Sequence, residues 1–172
     1  MPTKERIIDV AGDIFGKQGF KAATIRKIAR AAHANVSAIN YHFRDKEGLY
    51  RAVLEDIFSK GFQKFPSAHD FEENCEPDQK LHTFVRNMFY RFLSEEGWQG
   101  ISGKGKLLAK EFLDPTPAFE DVVETYIKPQ KEILVSIILD LSDGKAGMDK
   151  ILPYALNIIG QYIYYTFTTP VI

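Results

Sequence analysis

Residues 24–54 read TIRKIARAAHANVSAINYHFRDKEGLYRAVL, and their spacing decides the fold. Thr24 is placed to cap a short helix, TIRKIARAA, in which Ile25, Ile28 and Ala29 share one face while Arg26, Lys27 and Arg30 stay outside. His33-Ala34-Asn35 breaks the pattern. Asn35 can then accept a hydrogen bond from the free amides that open a second short helix, VSAINYHF, and Asp45 can do the same for a third beginning KEGLYRAVLEDIF. Upstream, Ile7, Ile8, Ala11, Ile14 and Phe15 recur at the three-and-four spacing of a helix that Gly19 ends. Helices with very short connections therefore fill the first third of the chain.

The rest is also helical in pattern. Leu81, Phe84, Val85, Met88, Phe89 and Phe92 form a strong stripe after a polar loop that starts at Phe65-Pro66. The segment EEGWQGISGKG, residues 95–105, is expected to be irregular or mobile because of its four glycines. A short helix around KLLAKEFL stops at Asp114-Pro115, and Thr116-Pro117 restarts the chain as cap and first-turn proline. The helix so begun carries Phe119, Val122, Val123 and Tyr126, meets Pro129 as a kink or break, and continues with Ile133, Leu134, Ile137, Ile138 and Leu141. A last helix from about Lys150 is apolar on most sides, so it must be covered by a core or by a second subunit. No strand-period alternation or internal repeat competes, and the fold class is all-α.

Composition narrows the function. One cysteine, Cys75, permits neither an internal disulfide nor a thiolate zinc site and suits a reducing setting. No apolar run approaches the length of a membrane span and the N-terminus lacks a signal-like apolar core, so a cytoplasmic protein without membrane contact is expected. The formal net charge is −1, but residues 1–60 hold 11 Lys+Arg against 7 Asp+Glu, leaving 11 against 16 for residues 61–172. The positive end is the expected phosphate-contacting end. His33, His42, His69 and His82 sit in no metal-ligand spacing, and no G-x-S-x-G, Walker loop or dinucleotide fingerprint is present. Neither an enzyme, a cofactor nor a metal is expected.

Two short helices joined by a three- or four-residue turn, the second offering small and polar side chains outward, make a helix-turn-helix. Ile39 and Phe43, four apart, anchor the second helix, which leaves Ser37, Ala38, Asn40 and Tyr41 on or beside its outer face. Asn40 suits an adenine edge, Ala38 and Val36 a thymine methyl, and Ser37 a base or phosphate, while Arg26, Lys27 and Lys46 suit phosphates.

The stretch from Thr24 to Leu54 resembles the head of the TetR family, whose hallmark is a short recognition helix ending in an aromatic-His-Phe cluster followed by a Lys-Glu pair, here Tyr41, His42, Phe43, Lys46 and Glu47. The resemblance covers roughly residues 5–55. It implies that Thr24, Arg26 and Lys27 lie near the DNA backbone, that Ser37, Ala38, Asn40 and Tyr41 enter the major groove, and that His42 and Lys46 touch flanking phosphates. With Asn35 and Val36 at the helix start, these residues are the candidate DNA-binding set. His33 stands where the family usually has Gly, so it must take a left-handed turn conformation. AINYHF with KEGLY, and LLAKEFLDPTPAF with YIKPQ, are similar to the CecR-like subgroup.

Residues 1–48 are accordingly expected to be the DNA-binding head and 49–172 a body for ligand binding and dimerisation. The family body normally ends in two long helices that pair with their mates. The sequence stops at FTTPVI, so one of them is expected to be short, absent or outside it. Any single aromatic of the body is best assigned to the core; as a group, Phe89, Phe92, Trp98, Phe112, Phe119, Tyr126 and Tyr162 are the candidate ligand-binding residues. The expected function is a homodimeric repressor that leaves palindromic operator DNA when a small apolar or amphipathic effector binds. The alternative is a dimeric DNA-binding module controlled by a protein partner.

Overall fold

The computed structural model describes residues 3–67, 75–98 and 104–168. Positions 99–103 of the glycine-rich segment, and His69, lie outside the described residues. All regular structure among the described residues is helical: α1 (Thr3–Ala22), α2 (Ile25–Ala31), α3 (Val36–Phe43), α4 (Lys46–Lys64), α5 (Pro77–Leu93), α6 (Lys104–Leu113), α7 (Pro117–Val122), α8 (Lys128–Leu141) and α9 (Met148–Thr168).

Helices α1 to α3 close over Ile7, Ala11, Phe15, Ile28, Ala29, Ala32, Ile39 and Phe43, all buried, as the periodicity predicts. Regular winding of α1 stops at Gly19, whose φ of 76° and ψ of 167° suit a residue without Cβ. Helix α4 then leaves the head and passes through the body. Its Leu49, Tyr50, Val53, Leu54, Ile57 and Phe58 are all buried in one cluster that also holds head residues and Phe84, Phe119 and Leu134 of the body. At its far end Gly61 admits Trp98: a methyl group on Gly61 would sit 2.2 Å from the indole nitrogen. That nitrogen donates to the Ile57 carbonyl at 3.1 Å.

At Pro129, where a kink or break is expected, the chain does not break. Helix α7 runs through a π turn, Val123–Ile127, directly into α8, and Pro129 lies just beyond that turn. Proline lacks the N–H of a regular turn and its ring crowds the carbonyl four residues back, and the wider winding upstream accommodates both without ending the rod.

Two polar links hold the long helices in register. The Tyr50 hydroxyl of α4 donates to Oε1 of the buried Glu111 of α6, whose Oε2 accepts from the Thr116 amide at 2.9 Å and its hydroxyl at 3.0 Å. Thr116 therefore occupies the cap position of α7, but its hydroxyl goes to Glu111 instead of to the helix amides. Arg51 of α4 pairs with Asp121 of α7.

Burial, and then the bond to Glu111, push the Tyr50 hydroxyl well above its ordinary pKa of 10.0. A phenol raised in the folded state supports folding up to its unfolded pKa and withdraws that support above it, because only the unfolded chain then ionises. Tyr50→Phe is expected to lose about 1–3 kcal/mol near neutral pH, since Glu111 keeps its burial and loses a donor. It should also flatten the fall in stability above pH 10. Urea titrations of both proteins on either side of that pH check the two outcomes.

Candidate nucleic-acid interface and body cavity

Helix α2 starts at Thr24, whose hydroxyl accepts from the Lys27 amide at 3.3 Å. It ends in a left-handed turn at His33, with φ of 46°. The His33 amide bonds to the Arg30 carbonyl and the Ala34 amide to the Ala29 carbonyl, the paired 5→2 and 6→1 bonds of a Schellman cap. The predicted left-handed residue is thus in place without glycine. Arg6 of α1 ties this turn down through Nε to the Ala32 carbonyl at 2.9 Å.

Helix α3 shows its two faces as its sequence predicts. Ile39 and Phe43 are buried, Ala38 is half-buried, and Val36, Ser37, Asn40, Tyr41 and His42 are exposed, Tyr41 at 84%. Thr24, Arg26 and Lys27 are exposed at the entry of α2 beside it. Asn35 departs from expectation: it stands at the N-cap position, but its side chain makes no cap bond, and its carbonyl carries the first turn through the Ala38 and Ile39 amides. The Asn35 amide group is exposed and so stays on the outer surface. Asp45 caps α4 as predicted, accepting from the Gly48 amide at 2.8 Å.

Lys46 is half-buried. Its ammonium donates to the Phe20 and Ala23 carbonyls at 3.0 and 3.2 Å and lies 4.4 Å from the centre of the Phe20 ring. It locks the end of α1 to the start of α4 and keeps one of three donors for anything outside.

In the body, a cavity of about 60 Å³ lies among α4, α5, α6, α8 and α9 and the turn before α8. Of the predicted ligand residues, Phe92, Trp98, Phe112, Tyr126 and Tyr162 line it. Phe89 and Phe119 do not: Phe89 packs against Tyr162 and Tyr165, and Phe119 sits between Phe58 and Phe112. The reading missed Phe58, Phe62, Phe84, Met88 and two polar residues, Arg91 and Gln130. Arg91 follows Phe84 by seven and Met88 by three, which is the spacing of the buried face; that spacing was the available signal. Gln130 had none, since its position depends on how α8 is rotated by the π turn.

Comparison with known proteins agrees with this geometry. Residues 7–53 match the model for bacterial regulatory proteins of the tetR family, and residues 77–172 match the C-terminal domain of the HTH-type transcriptional dual regulator CecR. The HTH-type transcriptional dual regulator CecR of Shigella flexneri is 28% identical over 93% of this chain and 74% of its own. The probable HTH-type transcriptional regulator YttP of Bacillus subtilis (strain 168) is 25% identical over 98% of this chain and 78% of its own. Among solved structures, AibR in complex with isovaleryl coenzyme A and operator DNA superposes with a TM-score of 0.73 at 15% identity, over 96% of this chain and 86% of that one, a likeness of fold.

His33→Gly is expected to stabilise the head modestly, by about 0.5–1 kcal/mol, by removing a Cβ from a left-handed turn. Thermal melts should show the rise, and DNA affinity should stay unchanged because the turn's own bonds run through backbone groups and Arg6, not through the His33 side chain. With its two family models meeting on a helix-turn-helix and a helical body, the chain belongs to the TetR family of bacterial transcriptional regulators, in its CecR-like branch, and is a DNA-binding protein, not an enzyme.

Proposed function

We propose that this regulator is a cytoplasmic repressor that binds a near-palindromic operator as a homodimer and leaves it when a small apolar or amphipathic molecule enters the body cavity. The head is taken as residues 1–48 and the body as 49–172. The observation that carries the reading is the position of α6. It contributes Phe112 to the cavity wall and, one residue earlier, Glu111 to Tyr50 of α4. From its first turn the buried Lys104 crosses α1 at Gly12, where a methyl group would meet its Cε at 2.7 Å, and bonds to Asp9 at 2.9 Å. A guest that displaces Phe112 pulls on the same helix that holds the head. Dimerisation is supported by α8 and α9, where Leu141, Met148, Leu152, Tyr154, Leu156, Tyr164 and Tyr165 are exposed, more apolar surface than a monomer ordinarily leaves to water.

In the major groove, Ser37, Ala38, Asn40 and Tyr41 read bases, with Asn35 and Val36 at the helix start, while Thr24, Arg26, Lys27 and His42 hold the backbone. Lys46 acts mainly by setting the angle between α1 and α4, so Lys27 is the cleaner phosphate probe. Asn40→Ala is expected to relax preference at one base position at a loss of about 1–3 kcal/mol, whereas Lys27→Ala should weaken all sites alike and lower the salt slope by about one unit. Binding to an operator library at several salt concentrations separates the two. Equal weakening at every sequence by Asn40→Ala would rule out its base contact.

The small volume of the cavity favours a second reading, a dimeric module controlled by a protein partner. Linkage distinguishes the two: an effector that weakens DNA binding tenfold must itself bind tenfold more weakly to the operator complex, a coupling of about 1.4 kcal/mol. Calorimetry of body-binding compounds with and without operator is the test. Unequal affinities support the effector; equal affinities for every such compound support the partner.

A further inference from the structure

Arg91 is the only charged residue among those lining the cavity, and it has no exposed surface. Its Nη1 reaches Gln130 Oε1 at 3.4 Å, a long contact, and Met88 Sδ at 3.5 Å, a weak acceptor, and the Phe62 ring covers the guanidinium at 4.2 Å. Ser67 donates to the same Gln130 oxygen at 2.6 Å, which holds that amide in place. Nε and Nη2 have no hydrogen-bond partner among the described residues. These two nitrogens share one edge of the guanidinium plane, the edge that takes both oxygens of a carboxylate side by side.

A cation in this position is otherwise unfavourable. Burial pushes the Arg91 pKa down to about 10, against a smaller opposing influence of Tyr162, so the group is still protonated near neutral pH. A buried charge left unpaired weakens the fold, and a well-packed apolar side chain in its place often strengthens it. The other buried cation among the described residues differs: Lys104, nearly as enclosed, has Asp9 at 2.9 Å.

We infer that Arg91 is the anchor for a carboxylate, and that the cavity takes small monocarboxylates with a branched aliphatic or aromatic body. This rests on the reading of the cavity as the effector site and names the chemical class of the effector. The surface open to the cavity is apolar and aromatic, including Phe58, Phe62, Phe92 and Trp98, with the unpaired edge of Arg91 covered behind it, so an apolar body with one negative charge reaches that edge as a wall side chain moves aside. A dianion such as phosphate would bring a second charge with no second cation to meet it. At about 60 Å³ the space is smaller than either acid as it stands, since isobutyrate has as many heavy atoms as benzene. A cavity of roughly 150 Å³ is the size that admits benzene, so a short branched or aromatic acid enters only as the wall yields, and Met88 is the unbranched side chain best able to move.

The test uses the full chain near neutral pH at constant ionic strength, with isobutyrate and benzoate as probes and isobutyramide and benzamide as their uncharged counterparts. At millimolar concentration the acids are expected to raise the melting temperature by several degrees and the amides to leave it unchanged. Arg91→Met should melt higher than the parent without ligand and lose the response to acids. Arg91→Lys keeps the charge without the two-pronged edge and should bind the acids at least about tenfold more weakly by calorimetry. No acid-dependent shift in the parent protein, or an equal shift in Arg91→Met, overturns the inference. Acids that bind through Arg91 but leave operator affinity unchanged uphold the anchor and remove the effector reading. Release of operator by a neutral compound, with no binding of acids, does the reverse.

Discussion

Helix α4 has to be buried along nearly its whole length by two different sets of partners, and the rest of the molecule is arranged around that requirement. Its apolar residues fall in adjacent pairs, Leu49 with Tyr50, Val53 with Leu54, Ile57 with Phe58, which makes a stripe too wide for one neighbouring helix to cover. Helix α1 covers the first part and α7 the later part. Phe15 and Phe20 meet the Tyr50 ring edge-on or tilted, each at 4.9 Å, while Trp98 and Phe119 meet Phe58. Head and body therefore share one continuous core. A change in the body cannot be absorbed at a loose hinge, because close-packed interiors transmit displacement instead of yielding to it.

The buried polar groups mark where that core is specified. An apolar stripe tolerates sliding by a turn; a carboxylate that must find three donors does not. Glu111 fixes α6 against α4 and the start of α7, and Lys104 fixes it against α1, so the helix that touches the cavity through Phe112 is held at both ends by polar contacts to other elements. Arg91 is of another kind. Its neighbours are a thioether, an amide oxygen and a ring face, which hold it in position without neutralising it. Structural pairing explains the first two residues; the third has no such pairing among the described residues.

The candidate interface was legible almost residue by residue because its signals are local. The cap at Thr24, the forced left-handed turn at His33 and the four-residue interval between Ile39 and Phe43 each act within one or two helical turns. What the local signals did not show involves distant partners. The Lys46 ammonium meets carbonyls more than twenty residues away, at Phe20 and Ala23, and the Thr116 hydroxyl is drawn from its helix to Glu111. The cavity was half legible for the same reason. Composition marked the body as aromatic, but whether Phe89 or Phe62 faces inward depends on which helix packs beside it.

The order and type of the helices, the outward face of α3 and membership of the TetR family were determined by the sequence on its own, through periodicity, capping and turn chemistry that operate between near neighbours. Tertiary structure alone decided that the chain passes Pro129 through a π turn, that Arg91 is enclosed with no carboxylate partner among the described residues, and that α6 joins the cavity wall to the reading head. The division has a physical cause. Backbone hydrogen bonding and helix periodicity are set by residues three and four apart, whereas desolvation of a charge and the shape of a cavity are set by whichever side chains from other elements arrive to exclude water.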